Sequence, residues 1–464
     1  MLWIKRGLKY ILMAILGLLV FYGVARLAVV YTDSQLNGVR APYIQMTTPT
    51  SAVIRWQTLN ATVATVRVGE QPQQFDLTLT ETSANRLHAL KIDRLKSDTL
   101  YYYEVTDNQG DKQGGTHNDW FRTAPAAGAQ RPARIWVIGD SGDAGPVLEQ
   151  VRDSALQWMR QHPRGDYPDF DVWLSLGDLA YRSGSDKQFQ KSLFDTFPGQ
   201  LRNTTLWPAY GNHDSRRWTY FRLFTLPEQG EAGGEPSGTE NYYSFNYGAV
   251  HFVMLDSESS SSEPGSPMVE WLQRDLAKNN SPWLIAVFHH APYSKGTHDS
   301  DVNRGSNAGM VSMRENIVPR LEAAGVDLVL AGHSHMYERS YLLDCHYGHS
   351  KTFGPHRIVS DGVNHNNAEY IKPLKNTAHA GTVYVVAGSA SKVDSGPINH
   401  PALPVSMLEA GSLVIDIDTN QLTTRFINNK GEVKDTFSIT KQAGYQSAYQ
   451  GCGGEQEVKG GAKL

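Results

Sequence analysis

Cysteine is nearly absent: only Cys345 and Cys452 occur in 464 residues, and neither has a Cys-x-x-Cys neighbour. Redox catalysis by a vicinal thiol pair is therefore excluded. A broad basic field is missing too, since 43 Lys and Arg face 47 Asp and Glu for a formal net charge of -4. Bulk charge thus gives no nucleic-acid-binding signal and names no partner. No internal repeat is visible. The two cysteines are either joined, pinning the Gly-rich tail around Gly451, Gly453 and Gly454 to the body, or unrelated thiols.

Long hydrophobic runs are equally scarce, with one exception at the start. Lys5, Arg6 and Lys9 precede an apolar stretch from Tyr10 to Ala25, interrupted by Arg26 before Leu27 to Val30. This reads as an export signal or an uncleaved membrane anchor, with residues 1–31 as the segment concerned and no clear small-x-small cleavage site. The basic flank stays in the cytoplasm, so the remainder is expected to be exported, periplasmic or extracellular, with possible attachment to the membrane.

The length accommodates a small domain and a large one. From 38 to 125 the chain carries short alternating segments, such as Ala52 to Trp56, Thr65 to Val68 and Leu100 to Val105, which predict a β-sandwich. Tyr101 to Tyr103 belong to its packing. The stretch 124–132 is a compositional linker. From 133 to 440, apolar runs at 135–138, 172–176, 251–255, 283–288, 326–331 and 383–387 predict buried strands. Helical patterns at 268–278 and 313–324 alternate with them, so an α/β domain with layered sheets follows. Residues 227–240 and 257–267 are rich in Gly, Ser, Glu and Pro and read as flexible loops or lids, and 441–464 is a Gly-rich tail.

Almost every predicted buried strand ends in a polar cluster: Gly139-Asp140-Ser-Gly142, Gly177-Asp178-Leu-Ala-Tyr181, Gly211-Asn212-His213-Asp214, Val287-Phe-His-His290 and Gly332-His333-Ser-His335. One Asp after Gly is ordinarily a turn residue and one His a structural side chain. Five such clusters in the same position converge on one centre, because sites in α/β folds gather at the carboxyl ends of strands. Asp, Asn and His donors without cysteine suit hard or borderline cations and exceed the four ligands of one zinc site. The surplus implies two metal ions and displacement chemistry at phosphorus.

This ordered set resembles the calcineurin-like metallophosphoesterase superfamily and, within it, the purple acid phosphatases. The generic first motif is Asp-x-His, whereas Gly142 stands in the third place here and Tyr181 appears in the second motif. The resemblance implies a fibronectin type III-like sandwich ahead of the metallophosphoesterase domain. It also implies a dinuclear centre of Fe(III) plus a divalent ion (Fe, Zn or Mn). Asp140, Tyr181 and His335 would hold the iron; Asn212, His290 and His333 the divalent ion; Asp178 would bridge. A phenol becomes a good ligand once ionised, which a trivalent cation achieves readily. His290 is preferred over His289 because Ala291-Pro292 follow it in the family's His-x-Pro pattern and His289 is expected to point to the opposite side of the strand. The implied activity is hydrolysis of phosphate monoesters by a metal-bound hydroxide, at acidic to neutral pH. His213 would meet the substrate, Asp214 would orient its imidazole, and His298 is the outer histidine available for leaving-group protonation.

The alternative within the same chemistry is a phosphodiesterase or nucleotide-hydrolysing enzyme. The alternative outside it is a catalytically silent binding protein, which the full ligand complement disfavours. His346, His349, His356 and His365 fit no compact ligand set and read as an active-site rim or exposed loop. The sequence bears no trace of oligomeric state.

Overall fold

The computed structural model describes residues 2–34, 38–164, 168–362, 367–447, 449 and 451–452. The first element is a single helix, Leu2–Ser34, whose Lys9–Ala28 stretch is long and apolar enough to cross a membrane; none of it is buried against the rest of the chain.

Alternation in the next segment produces two antiparallel sheets. One orders Arg40–Gln45, Ser51–Thr62 and Asn85–Asp93; the other is built on Ala64–Gly69 and Leu100–Asp107, flanked by three short strands. Ile54, Trp56 and Ile92 from the first meet Val66, Val68, Tyr103 and Phe121 from the second in one dry core. That shared core makes the pair a sandwich. Tyr101 and Tyr103 are buried in it, as packing residues should be.

The sandwich does not hang on a free linker. Ala124 and Pro125 are buried, and Gly128 N donates to Gly248 O at 2.7 Å. Tyr43 Oη donates to Leu223 O, Arg55 to Phe224 O, and Arg40 pairs with Asp186 at 2.8 Å. The small module thus braces the 186–225 segment, which carries Asn212 and His213.

The larger unit has two stacked sheets. In one, Leu206–Pro208, Val172–Ser175 and Ala133–Ile138 run parallel and continue into the antiparallel strands Gly411–Asp418, Gln421–Asn428 and Val433–Gln442. In the other, Val250–Met254, Trp283–His290, Leu328–Gly332 and Thr382–Ala387 are parallel neighbours, followed by antiparallel Tyr337–Leu343. Ile135 and Val137 of the first face Ile285, Val287, Leu328 and Leu330 of the second. The alternate residues Leu284, Ala286, Phe288 and Val329 pack outward on helices Pro267–Lys278 and Val318–Ala323. The expected helix at 313–324 begins with a wider turn, Met313–Ile317. The parallel strands of both sheets deliver their carboxyl ends to the same edge.

Three expectations change. Residues 227–240 are tied down rather than lid-like: Glu235 N donates to Asp275 and Trp271 Nε1 donates to Glu235 O. Residues 257–260 are likewise held, with Glu258 N and Ser259 N donating to Asp256. His346 is buried against Tyr293 rather than exposed, while His349 and His356 stay outside and His365 lies outside the described residues. Cys345 and Cys452 form a disulfide, which ties the segment at Cys452 to the body.

Candidate metal centre

Three strands of the first sheet and two of the second end at one cleft. Asp140 follows Ala133–Ile138, Asp178 follows Val172–Ser175, and Asn212 follows Leu206–Pro208; His289 closes Trp283–His290, and His333 and His335 follow Leu328–Gly332. The turns are tight enough to force Asp140, Asp178 and His333 to positive φ of 53°, 54° and 69°. Side chains in that region store strain and persist where packing over-determines them. Glycines make the close approach possible: a Cβ on Gly211 would collide with Asp178 N and Oδ1, and one on Gly332 with Asp140 Oδ2.

The donor atoms separate into two groups. In the first, Tyr181 Oη lies 3.0 Å from Asp140 Oδ1 and 3.0 Å from His335 Nε2, which is itself 3.4 Å from Asp140 Oδ1. In the second, His289 Nε2 lies 3.0 Å from Asn212 Oδ1, 3.3 Å from His333 Nδ1 and 3.5 Å from Asp178 Oδ2, and His333 Nδ1 is 3.1 Å from Asn212 Oδ1. Carboxylate atoms of Asp140 and Asp178 and a ring nitrogen of His289 all fall within 4.8 Å of one another, so the groups are contiguous.

The fourth motif requires a correction. His289, not His290, joins the second group. Trp283, Ile285 and Val287 pack between the sheets, and His289, at the register shift between Phe288 and His290, turns its Nε2 to the same inner side. His290 Nδ1 instead pairs with Ser257 Oγ at 2.9 Å, although its ring still lies 4.4 Å from that of His333. The other nitrogen of His289 is 2.8 Å from Leu176 O, an outer contact that fixes the ring with Nε2 inward.

The proton-transfer candidates are arranged unequally. His213 Nδ1 lies 2.7 Å from Arg182 O and its Nε2 3.9 Å from Asp178 Oδ2. Asp214 does not orient that imidazole: its carboxylate is fully buried and accepts from Leu179 N and Ala180 N, which shapes the loop between Asp178 and Tyr181. The His298 ring lies against that of His333, tilted by 32° with centroids 3.7 Å apart, and its Nδ1 meets Asn307 Oδ1 at 2.8 Å. Three neighbours escaped sequence reading. Asp394 bonds His335 Nδ1, the Lys392 ammonium stands 4.5 Å over the Tyr181 ring, and Glu258 receives Ser215 Oγ. Asp394 sits beyond the end of Thr382–Ala387, a predicted strand whose exit Gly388-Ser-Ala lacks a ligand-type residue.

Electrostatics match a site built for cations. Burial pushes Tyr181 well above its ordinary value, and Asp140 adds to this, so the phenol ionises only when a strong positive charge is present. Burial lowers His333 well below its ordinary value, keeping a lone pair for coordination. Burial would also lower His289, but the facing Asp178 carboxylate reverses this and raises it. Six N and O donors plus the Asp178 carboxylate, all without sulfur, fit two hard or borderline ions.

Residues 133–337 match the calcineurin-like phosphoesterase family, so the chain carries a phosphoesterase domain of that class. Curated purple acid phosphatases are among the proteins it is similar to. The probable purple acid phosphatase 20 of Arabidopsis thaliana is 28% identical over 326 residues, covering 64% of this chain and 68% of that protein. Purple acid phosphatase 21 of the same plant is 30% identical over 304 residues, covering 59% and 60%. Purple acid phosphatase 1 of Ipomoea batatas is 29% identical over 271 residues, covering 55% and 52%. The chain thus spans about half to two thirds of these relatives' lengths. Among solved structures, purple acid phosphatase PPD1 from yellow lupin (Lupinus luteus) superimposes with a TM-score of 0.65 at 18% identity, covering 87% of this chain and 75% of that one. PhoD superimposes with a TM-score of 0.60 at 12% identity, covering 89% and 92%; these two likenesses speak to fold alone. The chain is similar in sequence to curated purple acid phosphatases, and that similarity together with the matched domain supports a metal-dependent phosphatase.

Proposed function

We propose that this protein hydrolyses phosphate monoesters at a dinuclear centre, as an exported enzyme attached to a membrane through its first helix. The observation that carries the reading is the pairing of two donor groups across Asp178. Asp140, Tyr181 and His335 would hold Fe(III), and Asn212, His289 and His333 a divalent ion (Fe, Zn or Mn), with Asp178 shared. When bound, such ions polarise phosphoryl oxygens and lower the pKa of water. The protein's own groups do the remainder. His213 and His298 flank the two donor groups, where each imidazole can bond a phosphate oxygen or protonate a leaving alkoxide. Burial lowers both histidines, so their protonated forms are populated only on the acidic side of about pH 6.5. The basic limb of the rate profile therefore falls below that value. Lys392, beside Tyr181, adds positive charge for an incoming phosphate dianion.

The domain division proposed with this reading is a fibronectin type III-like module over 38–125 and a metallophosphoesterase domain over 133–440. The sandwich of residues 40–122 and the continuation of the first large sheet to Gln442 support it. The test is phosphate release from a chromogenic monoester, and product release from the matching diester, by metal-loaded protein and its Asp178→Asn variant. Monoester turnover at least about tenfold above diester turnover, lost in the variant, is the expected result. Faster diester cleavage would reassign the enzyme to the phosphodiesterases.

A further inference from the structure

A second group of ligating side chains surrounds the disulfide. His379 Nδ1 lies 3.6 Å from Cys452 Sγ and 3.9 Å from Cys345 Sγ, and it pairs with Asp344 Oδ1 at 3.0 Å. Asp344 Oδ2 lies 3.0 Å from Cys345 Sγ. One ligand atom from each of the four residues falls within 4.8 Å of all the others. A disulfide used only as a staple needs neither an imidazole nor a carboxylate at its sulfurs.

We propose that reduction of the Cys345–Cys452 disulfide converts this cluster into a four-ligand zinc site, distinct from the phosphoesterase centre. The donor set would be two thiolates, one imidazole and one carboxylate, the composition and number that tetrahedral Zn²⁺ takes. The reaction balances with an external dithiol as reductant. The dithiol supplies two electrons and two protons, its own sulfurs join, the protein's S–S bond breaks, and Cys345 and Cys452 become thiols. Zinc binding then displaces those two protons as the sulfurs ligate as thiolates.

The surroundings are already organised for this. Glu322 accepts from Cys345 N at 2.8 Å and from Tyr347 Oη at 2.7 Å, which holds the Cys345 backbone in place. Cys345 and His379 sit at positive φ of 63° and 57°, the same device that aims Asp140, Asp178 and His333. The bond to a zinc ion of about 2.3 Å places tetrahedral thiolates about 3.8 Å apart, so the sulfurs must separate. Cys452 is exposed whereas Cys345 is buried, so the separation falls to Cys452. The tail would then be held to the body in both redox states, by sulfur when oxidised and by zinc when reduced.

The test uses Co²⁺ as the probe, because thiolate ligation gives a near-ultraviolet sulfur-to-cobalt charge-transfer band that the sulfur-free phosphoesterase centre cannot produce. The full chain is treated with a dithiol under non-denaturing conditions until two thiols titrate, and Co²⁺ is added, followed by Zn²⁺ in competition. The expected result is a thiolate band saturating at one Co²⁺ and bleached by Zn²⁺, absent in Cys452→Ser. His379→Ala, which keeps both thiols, is expected to bind about 10- to 100-fold more weakly. Two titratable thiols without the band would overturn the proposal. So would an unaltered affinity in His379→Ala, or thiols that appear only when circular dichroism reports unfolding.

Discussion

Histidine 289 and histidine 290 are adjacent, equally buried and chemically identical, yet the fold gives them different work. The 3.0, 3.3 and 3.5 Å approaches to Asn212, His333 and Asp178 belong to His289, whereas His290 bonds Ser257. Removing a metal ligand leaves its ion with an open geometry, while removing a supporting side chain only loosens it. His289→Ala is therefore expected to lose the divalent ion and on the order of 100-fold or more in kcat/KM; His290→Ala should keep both ions and lose about 10-fold or less. Metal analysis and steady-state kinetics on the pair decide this. Six of the seven proposed ligands stand in motifs the sequence displays: Asp140, Asp178, Asn212 and His333 directly follow glycines at strand ends, and Tyr181 and His335 stand three residues after Asp178 and two after His333. For the seventh, the His-x-Pro pattern favours His290, whereas the contacts to Asn212 and His333 favour His289. Counting alternate residues from Ile285 and Val287 leads to His289. Asp214 shows the other limit: a carboxylate beside a histidine invites pairing, but its actual partners, Leu179 N and Ala180 N, are 34 and more residues away in sequence.

Elements, rather than single residues, decide where protonation touches stability. Behind the strand Trp283–His290 lie His346 and His400, packed around Tyr293 with Arg314, Lys295 and Asp301 as their charged neighbours. Burial lowers His346 to about 4 and His400 to about 3. An unfolded histidine titrates near about 6.5, so below that value the unfolded chain binds more protons. The stability these residues contribute is complete above about pH 6.5 and is lost as pH falls toward 4. Glu338, on the strand Tyr337–Leu343, has the opposite sign: burial raises it to about 7 from 4.5, so its contribution is full below about pH 4.5 and is lost as pH rises through 7. Denaturant midpoints followed across pH should decline less toward acid in His400→Phe than in the parent, and less toward neutrality in Glu338→Gln. Element positions were legible because the buried runs are apolar and four of the six, 135–138, 172–176, 326–331 and 383–387, are followed directly by glycine. The anchoring of 227–240 was not, because its ties to Asp275 and Trp271 arise from a helix three dozen residues onward.

At the scale of the whole molecule, three parts do separable jobs. The first helix makes no buried packing against the rest over Lys9–Ala28. A form lacking residues 1–34 is expected to retain the parent's kcat/KM within about twofold and to lose partition into lipid vesicles, measured by flotation. The sandwich is different in kind, since Tyr43, Arg55 and Arg40 bond into the segment that bears Asn212, so its removal should cost activity. The central claim rests on the cleft between the large sheets, where Asp178 stands between two donor groups. The most direct test is metal stoichiometry per chain, measured with monoester hydrolysis in the same samples, for the parent and Asp178→Asn. Two ions per chain in the active parent, falling to one or none as activity disappears in the variant, is the predicted result. A parent fully active with one ion, or a variant that retains both ions and turnover, would contradict the account.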